Sequence, residues 1–507
     1  MTVKHRIALV WALSVWLITG AVPATATYMD LMDYPRLKAE LGAAVPTGDG
    51  IQVMHVEAKE GNDYIPDADN SEFKTPDKSF TNVSASSTGS SSHATTVGIN
   101  FYGNDTSVAP DVGIDEAVLN YEAGDWLYGF LNFNEIAKPE TTDARIANHS
   151  WLVGTGVPSI DGDILRRIDF TIEEDDLIQV AGAPNTGQSA PIFKDAYNEI
   201  SVGLTSGAHE SGTTDVDTLY TDDRVAPTLV APGFNKADST TYTSWATPMV
   251  SATAAMLLEV AQDASLSSGT ITNRTRTIQH AETSEVVKAV LMAGADRAVN
   301  NPRGADLTDY AADTTNNLDS RYGAGQMNIY NAYRILAAGE QDSRQDGTGG
   351  IIEAFGWDYD PAFGGDGGSN DVGSYFFTPT AAWMLDRLQA ILVWNLDVDI
   401  DVDIGLDKVE FTTAFHDLDL LLFDVTGGGE TSPLASSTST EHNTETVYYE
   451  GLTLGNTYEL RVVPKDGQDD FAWDYALAWQ VPEPATLALL ALGGLILFHR
   501  RRRLGRG

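Results

Sequence analysis

The apolar residues of this chain change period once, near residue 340, and that change restricts the fold more than any other feature of the sequence. Before it, strand-like runs such as Gly50–Val56 and Leu177–Val180 alternate with helical stretches, the longest from Thr247 to Gln262. Strands alternating with helices require a mostly parallel sheet covered on both faces. From 376 to 480 the period drops to two, with Leu396, Val398, Ile400, Val402 and Ile404 alternating with Asp397, Asp399, Asp401 and Asp403. Such alternation describes a half-buried strand. Further strand signals at His416–Asp424, Val447–Leu452 and Thr457–Val463, between Gly-, Ser- and Asn-containing turns, complete an antiparallel sandwich. The stretch 341–375 is rich in Gly, Asp and Ser and reads as a linker. The expected fold class is α/β over 27–340, followed by a β-sandwich accessory domain over 376–480.

Both ends address the chain outward. Lys4 and Arg6 precede an apolar run from Ile7 to Ile18, then Gly20, Pro23 and Ala24-Thr25-Ala26. This is the pattern of a secretory signal over 1–26, and the run falls short of the roughly 20 apolar residues a spanning helix needs. At the other end, 481–507, Pro482-Glu483-Pro484 leads into an apolar stretch from Ala485 to Phe498 and a cluster of Arg500, Arg501, Arg502, Arg503 and Arg506. That tripartite tail resembles the PEP-CTERM sorting signal of Gram-negative bacteria; the alternative is a plain tail anchor held by positive-inside charge. The resemblance implies transient anchoring by the C-terminal helix, exosortase-like sorting machinery at the inner membrane as a partner, and release to the cell surface or extracellular matrix.

Lys and Arg number 31 against 72 Asp and Glu, a formal charge of −41, and cysteine is absent. The charge excludes a nucleic-acid binder. The missing cysteine excludes disulfides, thiolate zinc sites and a cysteine nucleophile. The four Asp of the 397–403 run are candidates for structural calcium, but no EF-hand loop surrounds them and a solvated face is the simpler reading. No metal-ligand motif and no required cofactor are read from the sequence. Oligomeric state is not encoded in any pattern.

The segment Thr243-Ser244-Trp245-Ala246-Thr247-Pro248-Met249-Val250 sets a serine at the mouth of a helix, after a polar loop and before small residues that allow close packing. Helix-start amides favour developing negative charge there. Taken alone, such a serine could instead be an N-cap.

With its surroundings, the segment resembles the nucleophile motif of the subtilisin-like (S8) serine peptidases, which puts Ser244 in the nucleophile's place. Ser92-His93-Ala94-Thr95-Thr96-Val97-Gly98 is similar to the helix start that carries the family's general base, His93 here. Ile51-Gln52-Val53-Met54-His55-Val56-Glu57-Ala58 aligns with the family's first buried strand, and its acid position holds Glu57 instead of Asp. Glutamate can orient the imidazole as aspartate does, and the related sedolisins use it, but its extra methylene demands a wider separation of strand and helix. Choosing His55 would put a base where the family buries an apolar side chain. Asn185, in Ala181-Gly182-Ala183-Pro184-Asn185, matches the family's oxyanion donor with two extra residues; otherwise it is a turn former before Gly187. Ile146-Ala147-Asn148-His149-Ser150-Trp151-Leu152 resembles the strand that pairs with substrate backbone, which makes Ser150, Trp151 and Leu152 binding candidates, or else parts of a plain buried strand. The resemblance spans about residues 45 to 338 and implies a serine endopeptidase acting on protein or peptide substrates.

Three positions depart from the family pattern: Tyr242 stands for the glycine before Thr243, Thr96 for a second histidine, and Leu152 for the glycine bordering the cleft. A tyrosine beside the nucleophile could narrow the cleft or strain the turn. The region before Glu57 also leaves no room for a foldable propeptide after the predicted signal. The competing class is a catalytically inactive peptidase fold that binds peptides at the surface or in the matrix. No Gly-x-Ser-x-Gly elbow surrounds Ser244, which disfavours an esterase or lipase.

Overall fold

The computed structural model describes residues 28–481, except 85–86, 88, 188–192, 237, 299–306, 348, 381–386, 404–407 and 429–431. The expected signal at 1–26 and all but the first residue of the expected sorting tail lie outside the described residues. Among those described, no helix is long and apolar enough to cross a membrane.

Two short N-terminal helices, α1 (Tyr28–Leu31) and α2 (Tyr34–Leu41), precede a seven-stranded sheet. Its strands are β1 (Val53–Glu57), β2 (Phe80–Asn82), β3 (Val118–Glu122), β4 (Ile146–His149), β5 (Ile178–Gly182), β6 (Ile200–Leu204) and β7 (Leu229–Ala231), in the order β2-β3-β1-β4-β5-β6-β7. Every pairing is parallel. A parallel sheet needs cover on both faces, and strand parity sorts the side chains between them. Val53, Ile146, Ile178, Val180 and Val202 share one core with α6 (Thr243–Ala261), α7 (Ser284–Gly294) and α8 (Ile329–Ala337). Helix α3 (Ser92–Tyr102) lies on this face too, with Phe101 and Tyr102 in the same core. Met54, Val56, Ala147 and Ala181 point the other way, toward α5 (Pro158–Asp175) and the short α4 (Ala123–Asp125) with the π-turn Trp126–Phe130 that continues it. Helix α6 is buried along nearly its whole length; its Ala, Ser and Thr residues let it lie close beneath the sheet and between helices.

After a small hairpin of β8 (Thr270–Thr272) and β9 (Thr277–Gln279), the C-terminal part forms two four-stranded antiparallel sheets and one more hairpin. The first sheet runs β10 (Phe355–Phe363), β19 (Trp473–Gln480), β12 (Arg387–Val393), β17 (Thr444–Glu450); the second runs β11 (Gly373–Phe377), β18 (Tyr458–Pro464), β15 (Leu418–Asp424), β16 (Ala435–Ser437). Leu388, Ala390, Leu392, Leu477 and Trp479 face the second sheet, whereas Trp357, Tyr359, Ile391, Val393, Ala476 and Ala478 face away from it and join the core of α7 and α8. The first sheet is thus buried on both faces, which explains the unbroken apolar run Ala390–Trp394 within a region otherwise read by its alternation.

The expected linker needs correction. Residues 341–375 contain all of β10 and the start of β11, so the sandwich begins inside the stretch whose glycines read as loop. Four of those glycines, Gly364, Gly365, Gly367 and Gly368, serve the turn between β10 and β11 and all have positive φ. The alternating Asp397–Asp403 run, β13, pairs with β14 (Lys408–Ala414) in a hairpin apart from both sheets. Its Val398 and Ile400 bury against the core of α5, while Asp399, Asp401 and Asp403 stay exposed.

Side-chain amides knit the two parts together. The last carbonyls of a helix lack intrahelical partners. Gln480 Nε2 donates to Ala293 O at 2.6 Å and Gln389 Nε2 to Met292 O at 3.2 Å, so the sandwich caps the C-terminal end of α7. Asn198 accepts from Leu396 N at 2.7 Å, and Asn443 Nδ2 donates to Trp394 O and Tyr197 O.

Candidate active site

The C-terminal ends of β1, β4 and β5 open onto a cleft of about 330 Å³ lined by Glu57, Glu60, His93, Ser150, Trp151, Leu152, Gly182, Asn185, Thr243 and Ser244, among others. The catalytic and substrate-binding candidates read from the sequence, Glu57, His93, Ser244, Asn185, Ser150, Trp151 and Leu152, therefore meet at one place.

Glu57 ends β1 and is buried. His93 is the second residue of α3, whose first turn is capped by Ser91 Oγ accepting from Ala94 N at 3.0 Å. Glu60 adds a second cap, its Oε2 accepting from Ser92 N at 2.7 Å and His93 N at 3.2 Å. With the helix start held this way, His93 Nδ1 lies 2.7 Å from Glu57 Oε2. The glutamate's longer side chain thus spans the gap that an aspartate at this position would leave. Burial pushes the Glu57 carboxyl up, but the charge of His93 and hydrogen bonds from His55 and His93 outweigh it and hold the group below the ordinary carboxylate value. Burial likewise pushes His93 down, and the Glu57 charge and hydrogen bond, helped by Glu60, bring it above the ordinary imidazole value. Trp245 lies against the His93 ring, with centroids 5.1 Å apart.

Ser244 is the second residue of α6; the N-cap is Tyr242, so the alternative of Ser244 as a cap does not hold. Pro248 sits within α6 and has no N–H to give the carbonyl four residues back, that of Ser244. Ser150 Oγ supplies the missing donor at 3.1 Å. Asn148 Nδ2 in turn donates to Ser150 Oγ at 3.1 Å, and Ser251 Oγ to Asn148 Oδ1 at 2.9 Å, so β4 and α6 are joined by a polar ladder under Ser244. Ser244 Oγ itself donates to the Ser150 carbonyl at 3.4 Å; among the described residues it has no hydrogen bond to His93. Catalytic hydrogen bonds of a ligand-free cleft commonly close only around substrate.

Asn185 Oδ1 accepts from Thr243 N at 3.1 Å, which ties its side chain to the start of α6. Gly182 lets β5 pass that close: a Cβ there would meet Thr247 Oγ1 at 2.8 Å. Of the binding candidates, Ser150 is engaged with Ser244 from both its hydroxyl and its carbonyl, and Leu152 is exposed on the rim. Trp151 is buried, its ring edge-on to Phe193 at 4.6 Å and its Nε1 donating to His149 Nδ1 at 3.3 Å.

Two family models match the chain. One, described as the subtilase family (peptidase S8), covers residues 45–325, more than half of the length. The chain belongs to the subtilase family. The other is the PEP-CTERM protein-sorting motif over 480–503, which makes the tail of this subtilase a sorting signal of the exported-protein type. Membership supports a serine peptidase as its class. Among solved structures, the prenylagaramide maturation protease PagA is similar at 19% identity, over 56% of this chain and 92% of that one, with a TM-score of 0.37. MycP1 with its N-terminal propeptide removed is similar at 14% identity, over 60% and 96%, with a TM-score of 0.36. The pre-peptidase C-terminal domain of a Bacillus anthracis collagenase is similar at 12% identity, over 26% and 92%, with a TM-score of 0.17. No curated protein matches the chain by sequence.

The departures of this subtilase from its family's pattern are accommodated. Tyr242 has extended backbone, φ −141° and ψ 154°, so no glycine is needed there, and its ring is 46% exposed beside Trp245. Thr96 bonds back to Ser92 O at 3.1 Å on the outer side of α3. What the motif reading of the subtilase missed is the rest of the acid's surroundings. His55 Nε2 lies 3.2 Å from Glu57 Oε1, and His55 Nδ1 lies 2.8 Å from Tyr102 OH. The period of a strand was the signal available, because residues 55 and 57 must share a face. The exposed Asp face of β13 gathers no convergent ligands; among the described residues, the one group of three that converges is Glu340, Asp342 and Asp358, away from the cleft.

Proposed function

We propose that this subtilase is an exported serine endopeptidase that cleaves peptide bonds through an acyl-enzyme on Ser244, with His93 as general base and Glu57 as the acid that orients it. The observation that carries the reading is the 2.7 Å contact between His93 Nδ1 and Glu57 Oε2 in a cleft that Ser244 also lines. With Nδ1 donating to the carboxylate, Nε2 is the nitrogen free to act as base. Rotation of the Ser244 side chain away from the Ser150 carbonyl brings Oγ to the attacking position. Oγ adds to the scissile carbonyl carbon as its proton passes to His93 Nε2; His93 then protonates the amine as the C–N bond breaks, and water repeats the sequence on the ester. Asn185 Nδ2 and the amides at the start of α6 are assigned to the developing oxyanion. Substrate backbone pairs beside Ser150, Trp151 and Leu152. No cofactor takes part. The sorting signal accords with a place at the cell surface or in the extracellular matrix, reached through exosortase-like machinery.

The test is mass-spectrometric detection of a fluorophosphonate adduct on the mature protein, beside Ser244→Ala and Glu57→Gln. Modification of Ser244 that vanishes in the first variant and slows in the second supports the peptidase. Folded protein that takes no label sinks it in favour of an inactive, peptide-binding fold.

A further inference from the structure

His55 is a wholly buried ionisable side chain in the middle of β1, and the mechanism above gives it no task. We propose that His55 is a positioning residue that allows a glutamate to serve as the acid of this site; its catalytic consequence rests on the peptidase reading, its geometric part does not.

A glutamate carboxylate turns about one more torsion than an aspartate's, and the final sp³–sp² torsion is broad. Bound to His93 through one oxygen alone, it would be free to swing. In this fold the second oxygen is also held: Oε2 faces His93 Nδ1 at 2.7 Å and Oε1 faces His55 Nε2 at 3.2 Å. An ionised carboxylate only accepts, so each imidazole must present an N–H to it. With Tyr102 OH, 2.8 Å from Nδ1, donating to it, His55 is the Nε2–H tautomer that this requirement calls for. Burial, with the Glu57 charge adding to it, pushes the Tyr102 phenol well above its ordinary value, so its proton stays in place.

Three elements of the sequence place this chain of groups. Residues 55 and 57 share the α3 face of β1. His93 and Tyr102 lie at opposite ends of α3, which runs back along the strand, so that one meets Glu57 and the other meets His55. Gly98, one turn before Tyr102, leaves the space its hydroxyl occupies; a Cβ there would lie 2.6 Å from that oxygen. The titratable groups that bear on the pair are therefore Tyr102, His93 and Glu60 at α3, and His149 on β4, which faces the opposite side of the sheet and is kept neutral by burial, with a value of about 3.

The experiment is an NMR titration of the His93 ring in ¹⁵N-histidine-labelled protein, with thermal melts and steady-state kinetics on a peptide amide, for wild type, His55→Leu, His55→Gln and Tyr102→Phe. Loss of positioning in His55→Leu lets the carboxylate leave His93. The His93 titration then moves to lower pH, and kcat falls about 10- to 100-fold at unchanged KM. His55→Gln keeps an N–H within reach of Oε1 and recovers most of both. Tyr102→Phe, which removes one oxygen and threatens folding least, moves them in the same direction by less. A folded His55→Leu with an unmoved His93 titration overturns the proposal and leaves His55 as core packing. A titration that moves upward also overturns it, because a carboxylate with one donor fewer but still in place pulls harder on the His93 proton. If wild type neither turns over nor labels yet His93 responds as described, the positioning stands and the peptidase reading fails.

Discussion

Glu57 and His93 join the C-terminal end of one strand to the first turn of one helix through a single contact, Oε2 to Nδ1 at 2.7 Å, with the acid fully buried and the base partly open to the cleft. Because the carboxylate holds His93 above the ordinary value of 6.5, the histidine is neutral, and able to accept a proton, only above that raised value. The acid limb of kcat/KM is therefore expected above pH 6.5. In Glu57→Gln the larger raising charge and its hydrogen bond are gone, only Glu60 still opposes burial at His93, and the limb moves to lower pH while kcat falls by as much as about 10⁴-fold. A pH–rate profile on both proteins checks this; a limb that stays in place in the variant contradicts it.

Asn185 is expected to act on turnover more than on binding. Asn185→Leu removes a donor near the developing oxyanion and should lower kcat by about 10²–10³-fold, with KM little changed. It also frees the Thr243 amide, so the melting temperature is measured alongside to separate the two effects.

Ser150 and Pro248 should be energetically coupled. Ser150→Ala leaves the Ser244 carbonyl without the donor that replaces the one Pro248 lacks, a loss of about 1–3 kcal/mol for a buried acceptor. Pro248→Ala returns an N–H to the helix at the right spacing. Urea unfolding of the two single variants and the double variant is expected to show the double variant more stable than the two single losses added together.

The amides of Gln389 and Gln480 test the union of the two parts. Replacing both by leucine leaves the carbonyls of Ala293 and Ala295 without their sandwich donors at the end of α7, while the Met292 carbonyl keeps the Ala295 N–H. A loss of about 2–6 kcal/mol is expected for two buried acceptors, in a single cooperative unfolding transition. Two separated transitions would mean that the parts fold independently.

Much of this structure was legible in the chain. Alternating strands and helices carry the parallel sheet and its helical cover, and the runs around Glu57, His93 and Ser244 name positions that the fold brings to one cleft. The boundary at 341–375 was not legible, because a glycine-rich turn within a sheet and a linker have the same composition. Ser150 read as a substrate contact because its segment resembles a pairing strand; its role toward Ser244 depends on a proline almost a hundred residues away. His55 was set aside because the family buries an apolar side chain at its position, whereas its contacts are with Glu57 and with a tyrosine at the far end of a helix.

Strand β19 is the last element described, and it lies inside its sheet, between β10 and β12, with Ala476 and Ala478 against the helices of the α/β part. Of the four strands of this sheet, synthesis delivers this one last. Until it arrives, β10 and β12 have no common neighbour, the end of α7 lacks its Gln480 cap, and an apolar face of the α/β part stays wet. A ribosome or translocon holding back the segment that carries β19 thus holds back the completed fold of both parts at once.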